Sequence, residues 1–343
     1  MTSTLHDVAR AAGVSIKTVS NVINDWPHVS TATRSRVQQV IDELGYRPNL
    51  SARGLRSGKT GVIGLAVPSL RENYFAELAD AVIRAAAKRD IQVVVEQTNG
   101  DREQELLALS GGRLRFVDGL LFSPVQIGQV DVDLLRTGVP LVLLGERIFG
   151  GPTDHVTMHN ISSARAAVEH LLEIGRRRIA LIGPPAVAED DASSASLREL
   201  GYRQALEAAG IALDPELIVR GGQWGRATGV AGIRQLRDRG VNFDAVFALN
   251  DTLGLGALRA LVAAGVGVPD DVAVMGFDNI DEGRFSWPSL STVDPGRLEI
   301  AESAVSLLLE RVNAKGDPTP PRTVKAGYRI VRRESTGFVG DDE

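Results

Sequence analysis

The sequence predicts a chain of two parts: a small all-α helix-turn-helix headpiece and a large α/β core. Two patterns carry this prediction. In residues 1–46, apolar side chains recur three and four positions apart, as they do on one face of a helix. From Gly61 onward, short apolar runs alternate with longer amphipathic segments, a pattern typical of parallel strands joined by crossover helices.

The headpiece pattern contains three short helices. The first has an apolar stripe over Leu5–Ala12 and stops at Gly13, a residue that tolerates the positive φ of a tight corner. The second covers Val14–Ile23, and the hydroxyls of Ser15 and Thr18 can pair with its free first-turn amides. The side chains we expect on its outer face are Ser15, Ile16, Lys17, Ser20 and Asn21.

A third helix follows from about Ser30, and four of its side chains are predicted to face inward: Val37, Val40, Ile41 and Leu44. Three helices that share one small core can hold the middle helix in a major groove of DNA.

Charge is distributed unevenly along the 343 residues. The net charge is −5 overall, yet residues 1–60 carry eight Lys and Arg against four acidic residues, so this part is +4. The remaining residues are −9. A basic head on an acidic body favours a phosphate-binding head, although a solvated surface gives the same asymmetry.

Several classes of site are disfavoured by composition. The chain has no cysteine, which excludes disulfides and thiolate metal sites, and its five histidines lack metal-binding spacing. We therefore expect no metal and no cofactor. The segment Gly54–Thr60 resembles a phosphate-binding P-loop but is one residue short and follows no apolar strand. No apolar leader or run of eighteen apolar residues occurs, so we expect a cytoplasmic protein.

The core pattern predicts a doubly wound fold, with helices stopped by Gly210, Gly240 and Gly265. The predicted strands are Val62–Val67, Ile91–Val95, Val117–Phe122, Pro140–Leu144, Ile179–Ile182, Ala245–Leu249 and Val272–Phe277. The predicted helices are Phe75–Lys88, Ser162–Ile174, Leu197–Ala209, Ala227–Arg239 and Thr252–Ala264.

Ligands of open α/β sheets bind beyond the carboxyl ends of the strands. The candidates that follow apolar runs are Ser69, Asn73, Tyr74, Phe75, Glu146, Arg147, Asn250 and Asp278. This mixture of aromatic, carboxylate and amide groups suits a sugar, and it suits a nucleobase less specifically. Asn250 can equally be the cap of the next helix, and Tyr74 and Phe75 can equally belong to the core.

The segments Thr4–Asn24, His28–Ser30, Leu44–Asn49 and Ala52–Leu55 resemble the headpiece and hinge of LacI/GalR-family repressors, and the resemblance continues almost to the C-terminus. It implies a core of two similar lobes, like that of periplasmic sugar-binding proteins. The implied parts are a headpiece over 1–46, a hinge over 47–60, a first lobe of 61–159 with 291–319, a second lobe of 160–290 with 320–336, and a disordered tail over 337–343.

The resemblance also implies roles for headpiece residues. Lys17, Asn21 and Ile16 would read a guanine edge, an adenine edge and a thymine methyl. Many relatives carry arginine in place of Asn21, which suggests a different operator. The implied phosphate contacts are Thr4, Ser15, Ser20, Asn24, His28, Ser30 and Thr33; each hydroxyl can equally be a helix cap.

Three further contacts implied by the family lie in the hinge: Asn49, Ala52 and Leu55. Asn49 can also cap a short helix over Leu50–Arg56, which is too short to persist alone. Leu55 would be a wedge in the minor groove, a contact between two hinge helices, or both.

In the core, the family also places Arg198, Trp224 and His159 near the effector. Two departures are visible: Leu144–Arg147 is one residue longer than usual, and His159 stands where aspartate is common. Pro184–Ser196 is predicted to be a mobile loop over the cleft.

The expected function is a sequence-specific, homodimeric transcription regulator, a repressor, controlled allosterically by a small molecule. It would bind a near-palindromic operator in double-stranded DNA, and a tetramer stays open. One alternative is a pure small-molecule binding protein, against which the basic head argues. Another is an enzyme, which no catalytic motif supports.

Overall fold

The structure is a computed structural model that describes residues 3–23, 26–46, 59–186, 192–315, 319–338 and 340. It divides into two compact units, Met1–Gly61 and Val62–Glu343. The first unit is all-α in its described part, and the second is α/β, so the predicted fold class is confirmed. No helix in the described ranges is long and apolar enough to span a bilayer.

The headpiece contains three helices: α1 (Leu5–Ala12), α2 (Ile16–Ile23) and α3 (Thr31–Glu43). Each helix is preceded by a residue whose hydroxyl accepts a hydrogen bond from a backbone amide of the first turn. These residues are Thr4, Ser15 and Ser30, in the order of the helices. Gly13 ends α1 with φ of 63°, as predicted. The shared core consists of Val8, Ala9, Ala12, Val19, Val22 and Val37.

Two headpiece side chains differ from their predicted positions. Leu44 is 38 % exposed, because α3 ends at Glu43 and Leu44 lies at its C-cap rather than on its inner face. Ile16, expected on the outer face, is half-buried against the headpiece core. The first turn of α2 therefore contributes apolar surface to the core as well as polar surface to solvent.

The first lobe is built on a six-stranded parallel sheet. Its strands are β1 (Val62–Val67), β2 (Gln92–Gln97), β3 (Leu120–Phe122), β4 (Leu141–Leu144), β5 (Asp154–Thr157) and β11 (Thr323–Lys325). Their order in the sheet is β11-β5-β4-β3-β1-β2. Its helices are α4 (Asn73–Ala87), α5 (Arg102–Ala108), α6 (Gly111–Leu114) and α12 (Arg297–Asn313), with a 3-10 helix at Gln129–Leu135.

The second lobe has a four-stranded parallel sheet of order β7-β6-β8-β9. Its strands are β6 (Ile179–Ile182), β7 (Ile218–Val219), β8 (Ala245–Ala248) and β9 (Ala273–Met275). An antiparallel pair of β10 (Thr292–Asp294) and β12 (Arg329–Val331) joins it. Its helices are α7 (Asn160–Glu173), α8 (Ser194–Ala208), α9 (Arg226–Asp238), α10 (Asp251–Ala263) and α11 (Asp281–Arg284), with 3-10 helices at Pro215–Leu217 and Glu334–Thr336.

The chain passes between the two sheets at three places. The first lies between β5 and β6, and the boundary near Asn160 stays a prediction. The second lies between β10 and α12, a few residues beyond the expected Leu290. The third was expected near Pro320, but β11 still pairs with β5 in the first sheet. The assignment of 320–325 to the second lobe is therefore wrong, and the crossing lies between Lys325 and Arg329.

Candidate functional site

The exposed side of α2 carries the residues predicted to contact DNA. Lys17 is exposed, whereas Ser20 and Asn21 are half-buried. Ser15 and Ser30 are exposed and already cap α2 and α3, accepting the amides of Thr18 at 3.1 Å and Thr33 at 3.3 Å. Thr4 caps α1 and bonds the Asp7 carboxylate, which lowers the pKa of Asp7. Capping uses an acceptor lone pair, so the O–H groups of Ser15 and Ser30 can still donate to a phosphate, whereas the O–H of Thr4 donates to Asp7.

The remaining predicted headpiece contacts fall in two groups. His28 is exposed in the turn between α2 and α3 and lies 6.2 Å from the ring of Trp26, and Thr33 is half-buried at the start of α3. Asn24, Asn49, Ala52 and Leu55 lie outside the described residues, as does the predicted hinge helix.

A cleft of about 1030 Å³ opens at the carboxyl ends of the strands of both lobes. Ten of the eleven predicted effector residues line it: Ser69, Asn73, Tyr74, Phe75, Glu146, Arg147, Arg198, Trp224, Asn250 and Asp278. His159 does not line it. The His159 ring lies beside Tyr328, at 5.8 Å between centroids, because α7 begins at Asn160 and leaves His159 at its N-terminus.

Arg198 of α8 is a buried cation of the cleft with several partners. It is 3 % exposed and donates to the Asn160 side chain at 2.9 Å and to the Leu249 carbonyl. Its guanidinium carbon lies 3.5 Å from the centroid of Phe277 and 5.4 Å from that of Trp224. Since guanidinium groups are planar and stack on aromatic rings, this site holds Arg198 in one orientation.

Asp278 faces Arg198 across 3.4 Å and is 5 % exposed. Burial raises the pKa of Asp278 to about 7, with Glu72 and Glu146 adding to the effect. Arg198 and Arg297 oppose the shift. Burial prevails, because the N–H groups of Arg198 are shared with Asn160 and Leu249 and the contact with Asp278 is long.

Aromatic rings from both lobes line the cleft. The Trp224 indole N–H donates to the Gly183 carbonyl at 2.8 Å, which fixes the plane of the indole. Gly183 has φ of 111°, and a Cβ there would lie 2.6 Å from Leu253, so glycine is required at this position. From the first lobe, Tyr74 and Phe75 meet edge to face at 5.2 Å, and both line the cleft while packing on the core.

Direct contacts cross between the lobes beside the cleft. The Ser194 hydroxyl donates to Glu146, and the Asn73 amide donates to Glu282. The amide of Asp281 donates to Glu77 at 3.0 Å. Glu146 and Asn73, which line the cleft, therefore also take part in hydrogen bonds between the lobes.

The predicted cap at Asn250 is confirmed, and its contact with an effector stays a prediction. Its side-chain oxygen accepts the Leu253 amide at 2.8 Å, so it caps α10, and it also lines the cleft. The neighbouring Asp251 is fully buried and is held by the Thr292 hydroxyl and the Ile280 amide, and burial raises its pKa well above the ordinary value. Asp251 thus supports the turn that carries Asp278.

The cleft also contains polar residues that the sequence prediction omits, among them Gln97, Asn99, Ser123, Gln126, Thr157, Ser193, Ser194 and Gln223. The strand-end rule that selects Ser69 would also have found Gln97 at the end of β2, Asn99 just after it and Ser123 after β3. Thr157 ends β5, a strand that is not predicted. Across the described ranges, no group of three or more His, Cys, Asp or Glu is arranged to hold a metal ion.

The chain matches two protein-family models: bacterial regulatory proteins of the lacI family over residues 4–49, and a periplasmic binding protein-like domain over residues 168–336. It is 37 % identical to the HTH-type transcriptional regulator CelR of Thermobifida fusca over 343 residues, covering 97 % of this chain and 98 % of CelR.

Two solved structures resemble the whole chain. A CelR–cellobiose complex is 34 % identical, covers 97 % of this chain and 99 % of its own, and gives a TM-score of 0.70. The lac repressor dimer bound to operator and the anti-inducer ONPF is 28 % identical, covers 98 % and 99 %, and gives a TM-score of 0.83.

Proposed function

Because this chain belongs to the LacI family of bacterial transcription regulators, we propose that it is a repressor whose operator affinity is set by a sugar bound in its cleft. It binds a near-palindromic operator as a homodimer. The relatives are regulators rather than enzymes, and the cleft of this chain binds its effector without transforming it. Its target is DNA, so it acts in the cytoplasm.

The observation that supports a sugar effector most strongly is the composition of the cleft. Trp224 presents a fixed ring to C–H faces, and Gln223 adds a side-chain amide that can pair with hydroxyls. Asn73 and Gln97 already bond Glu282, Leu70 and Asn99, and each keeps a second N–H and a second lone pair for a hydroxyl. Its buried cation, Arg198, is already committed to Asp278, Asn160 and Leu249. This favours a neutral ligand over an anion.

The size of the cleft favours an effector of more than one ring. About 1030 Å³ lies at the upper end of the roughly 300–1,000 Å³ typical of ligand pockets. The similar CelR structure is a complex with cellobiose. A neutral disaccharide is therefore the proposed effector, and a nucleobase is the alternative.

In the headpiece, we propose that Lys17, Asn21 and Ile16 contact base edges. The hydroxyl residues Thr4, Ser15, Ser20, Ser30 and Thr33, together with His28, hold phosphates. The exposed position of Lys17 supports this reading. Half-burial of Ile16 limits it to a methyl contact at the edge of the surface.

A thermal-shift screen with disaccharides, monosaccharides and nucleobases tests the effector, since a ligand that binds only the folded state raises its melting temperature. We expect stabilisation by at least one disaccharide. A shift by nucleobases alone would replace the sugar proposal. Operators are obtained independently, by sequencing duplexes that the full-length protein selects from random DNA.

A further inference from the structure

The first lobe buries a carboxylate that has no part in the cleft surface. Glu105 of α5 is fully buried. Its two oxygens accept four hydrogen bonds from three consecutive backbone amides: Val125 at 2.8 Å, Gln126 at 3.1 Å to each oxygen, and Ile127 at 2.7 Å. Charge-assisted bonds of this kind are stronger than neutral ones, and a buried carboxylate needs them.

The three amides belong to a segment that forms one wall of the cleft. Residues 123–126 follow β3 at its carboxyl end, and all four line the cleft. The segment has no strand or helix hydrogen bonds of its own over Pro124–Ile127. Its conformation therefore depends on Glu105 at one side and on the buried Ile127 side chain at the other.

A second carboxylate fastens the same segment one residue further on. Asp131 accepts the Gly128 amide at 3.0 Å and forms a two-bond ion pair with Arg102, at 2.8 and 2.6 Å. Arg102 is the first residue of α5. The short helix α5 thus holds the cleft wall at two points, through the ion pair of its first residue Arg102 with Asp131 and through Glu105 in its middle.

From this geometry we propose that Glu105 is a positioning residue that fixes the cleft wall 123–126 and so determines which effectors the cleft accepts. The inference rests on the proposed function for the identity of the ligand. Glu105 does not touch the effector; it acts through the backbone. A wall fixed by four hydrogen bonds distinguishes sugars by shape, because a displacement of about 1 Å is enough to lose a well-placed hydrogen bond.

Glu105→Gln tests the proposal. Glutamine keeps one acceptor oxygen and turns an N–H donor toward the backbone amides, so at least one of them loses its partner. We expect amide hydrogen exchange at residues 125–127 of the full-length protein to accelerate. We also expect the ratio of cellobiose to maltose affinities, measured by calorimetry, to change by about fivefold or more.

Glu103→Gln is the matched control, since Glu103 lies on the same helix and is exposed; it should change neither quantity. Glu105→Asp keeps both oxygens on a shorter side chain and should recover part of the wild-type selectivity. If Glu105→Gln does not fold, Asp131→Asn replaces it, because this substitution weakens the contacts of Asp131 with Arg102 and the Gly128 amide. Hydrogen exchange and the affinity ratio are then measured on that variant.

The proposal is overturned if exchange at 125–127 accelerates while the affinity ratio stays at its wild-type value, because Glu105 would then be structural only. It is also overturned if exchange does not change. If the wild type binds neither disaccharide, the proposed effector fails, and the exchange data alone decide whether Glu105 holds the wall.

Discussion

Arg198 Nη2 lies 3.4 Å from Asp278 Oδ1, and each residue is no more than 5 % exposed. The two come from α8 and from the turn after β9, eighty positions apart in the chain. The turn requires an unusual backbone, since Asp278 has φ of 112° and Asn279 has φ of 50°. The pair therefore links α8 to this strained turn, and both residues line the cleft.

Arg198→Lys should weaken effector binding at least about tenfold, because an ammonium cannot stack on Phe277 while donating to Asn160 and Leu249. Calorimetry with the sugar found by thermal shift measures this. Arg165→Lys, an exposed residue paired with Glu169, is the control. Unchanged affinity in Arg198→Lys would remove Arg198 from the effector site.

Trp224→Leu should lower sugar affinity by about tenfold or more, because the ring face is lost. Trp224→Phe should lose less, because it retains an aromatic face but not the hydrogen bond to Gly183. The order of affinities is therefore wild type, then phenylalanine, then leucine. Equal losses in both variants would show that orientation by Gly183, rather than stacking, governs binding.

Stability should depend on the ionisation of Asp278. Its pKa is about 7 in the folded protein and near 3.8 when exposed, so folding retains a proton that the unfolded chain releases. The free energy of unfolding therefore falls as pH rises from about 4 to about 7, by at most about 4 kcal/mol from this group. Denaturant titrations should show that the free energy of unfolding of Asp278→Asn depends less on pH between about 4 and about 7. The same pH dependence in this variant as in the wild type would contradict the raised pKa of Asp278.

In the headpiece, Lys17→Ala and Asn21→Ala should each change base preference at one or two operator positions, at about 1–3 kcal/mol per position. Sequencing of selected duplexes measures this. Gln39→Ala is the control, because Gln39 is exposed on α3 and bonds only Glu43 among its described partners. If both variants select the wild-type operator, α2 does not read bases through these residues.

The buried strands are predictable because a parallel sheet covered on both faces needs continuous apolar runs, as in β1 and β4. Strand β5 cannot be predicted in this way, because Asp154 and His155 are polar residues that are nevertheless buried. The Asp154 carboxylate accepts hydrogen bonds from Arg311 and Arg322, which lie in distant parts of the chain. Strand β11 is three residues long and largely exposed at a sheet edge, so it carries little signal.

Some residues in and around the cleft can likewise be predicted from the sequence, and others cannot. Strand ends identify Tyr74, Asn250 and Asp278 from local pattern. Glu105 shows no such signal, since its role depends on amides twenty positions away. Helix α12 is a different case: Ile300, Ala304 and Leu308 recur at helical spacing and are buried, so its omission is an error of interpretation rather than a lack of information.

We propose above that a sugar in the cleft sets the affinity of the headpiece for DNA. Fluorescence anisotropy at physiological salt measures it directly, with a selected duplex and a random duplex, each with and without saturating cellobiose or whichever sugar stabilises the protein. We predict that the selected duplex binds more tightly than random DNA and that the sugar changes this affinity by about 5- to 150-fold, with little change in Arg198→Lys. Equal affinity for both duplexes, or sugar binding that leaves operator affinity unchanged, would contradict the account.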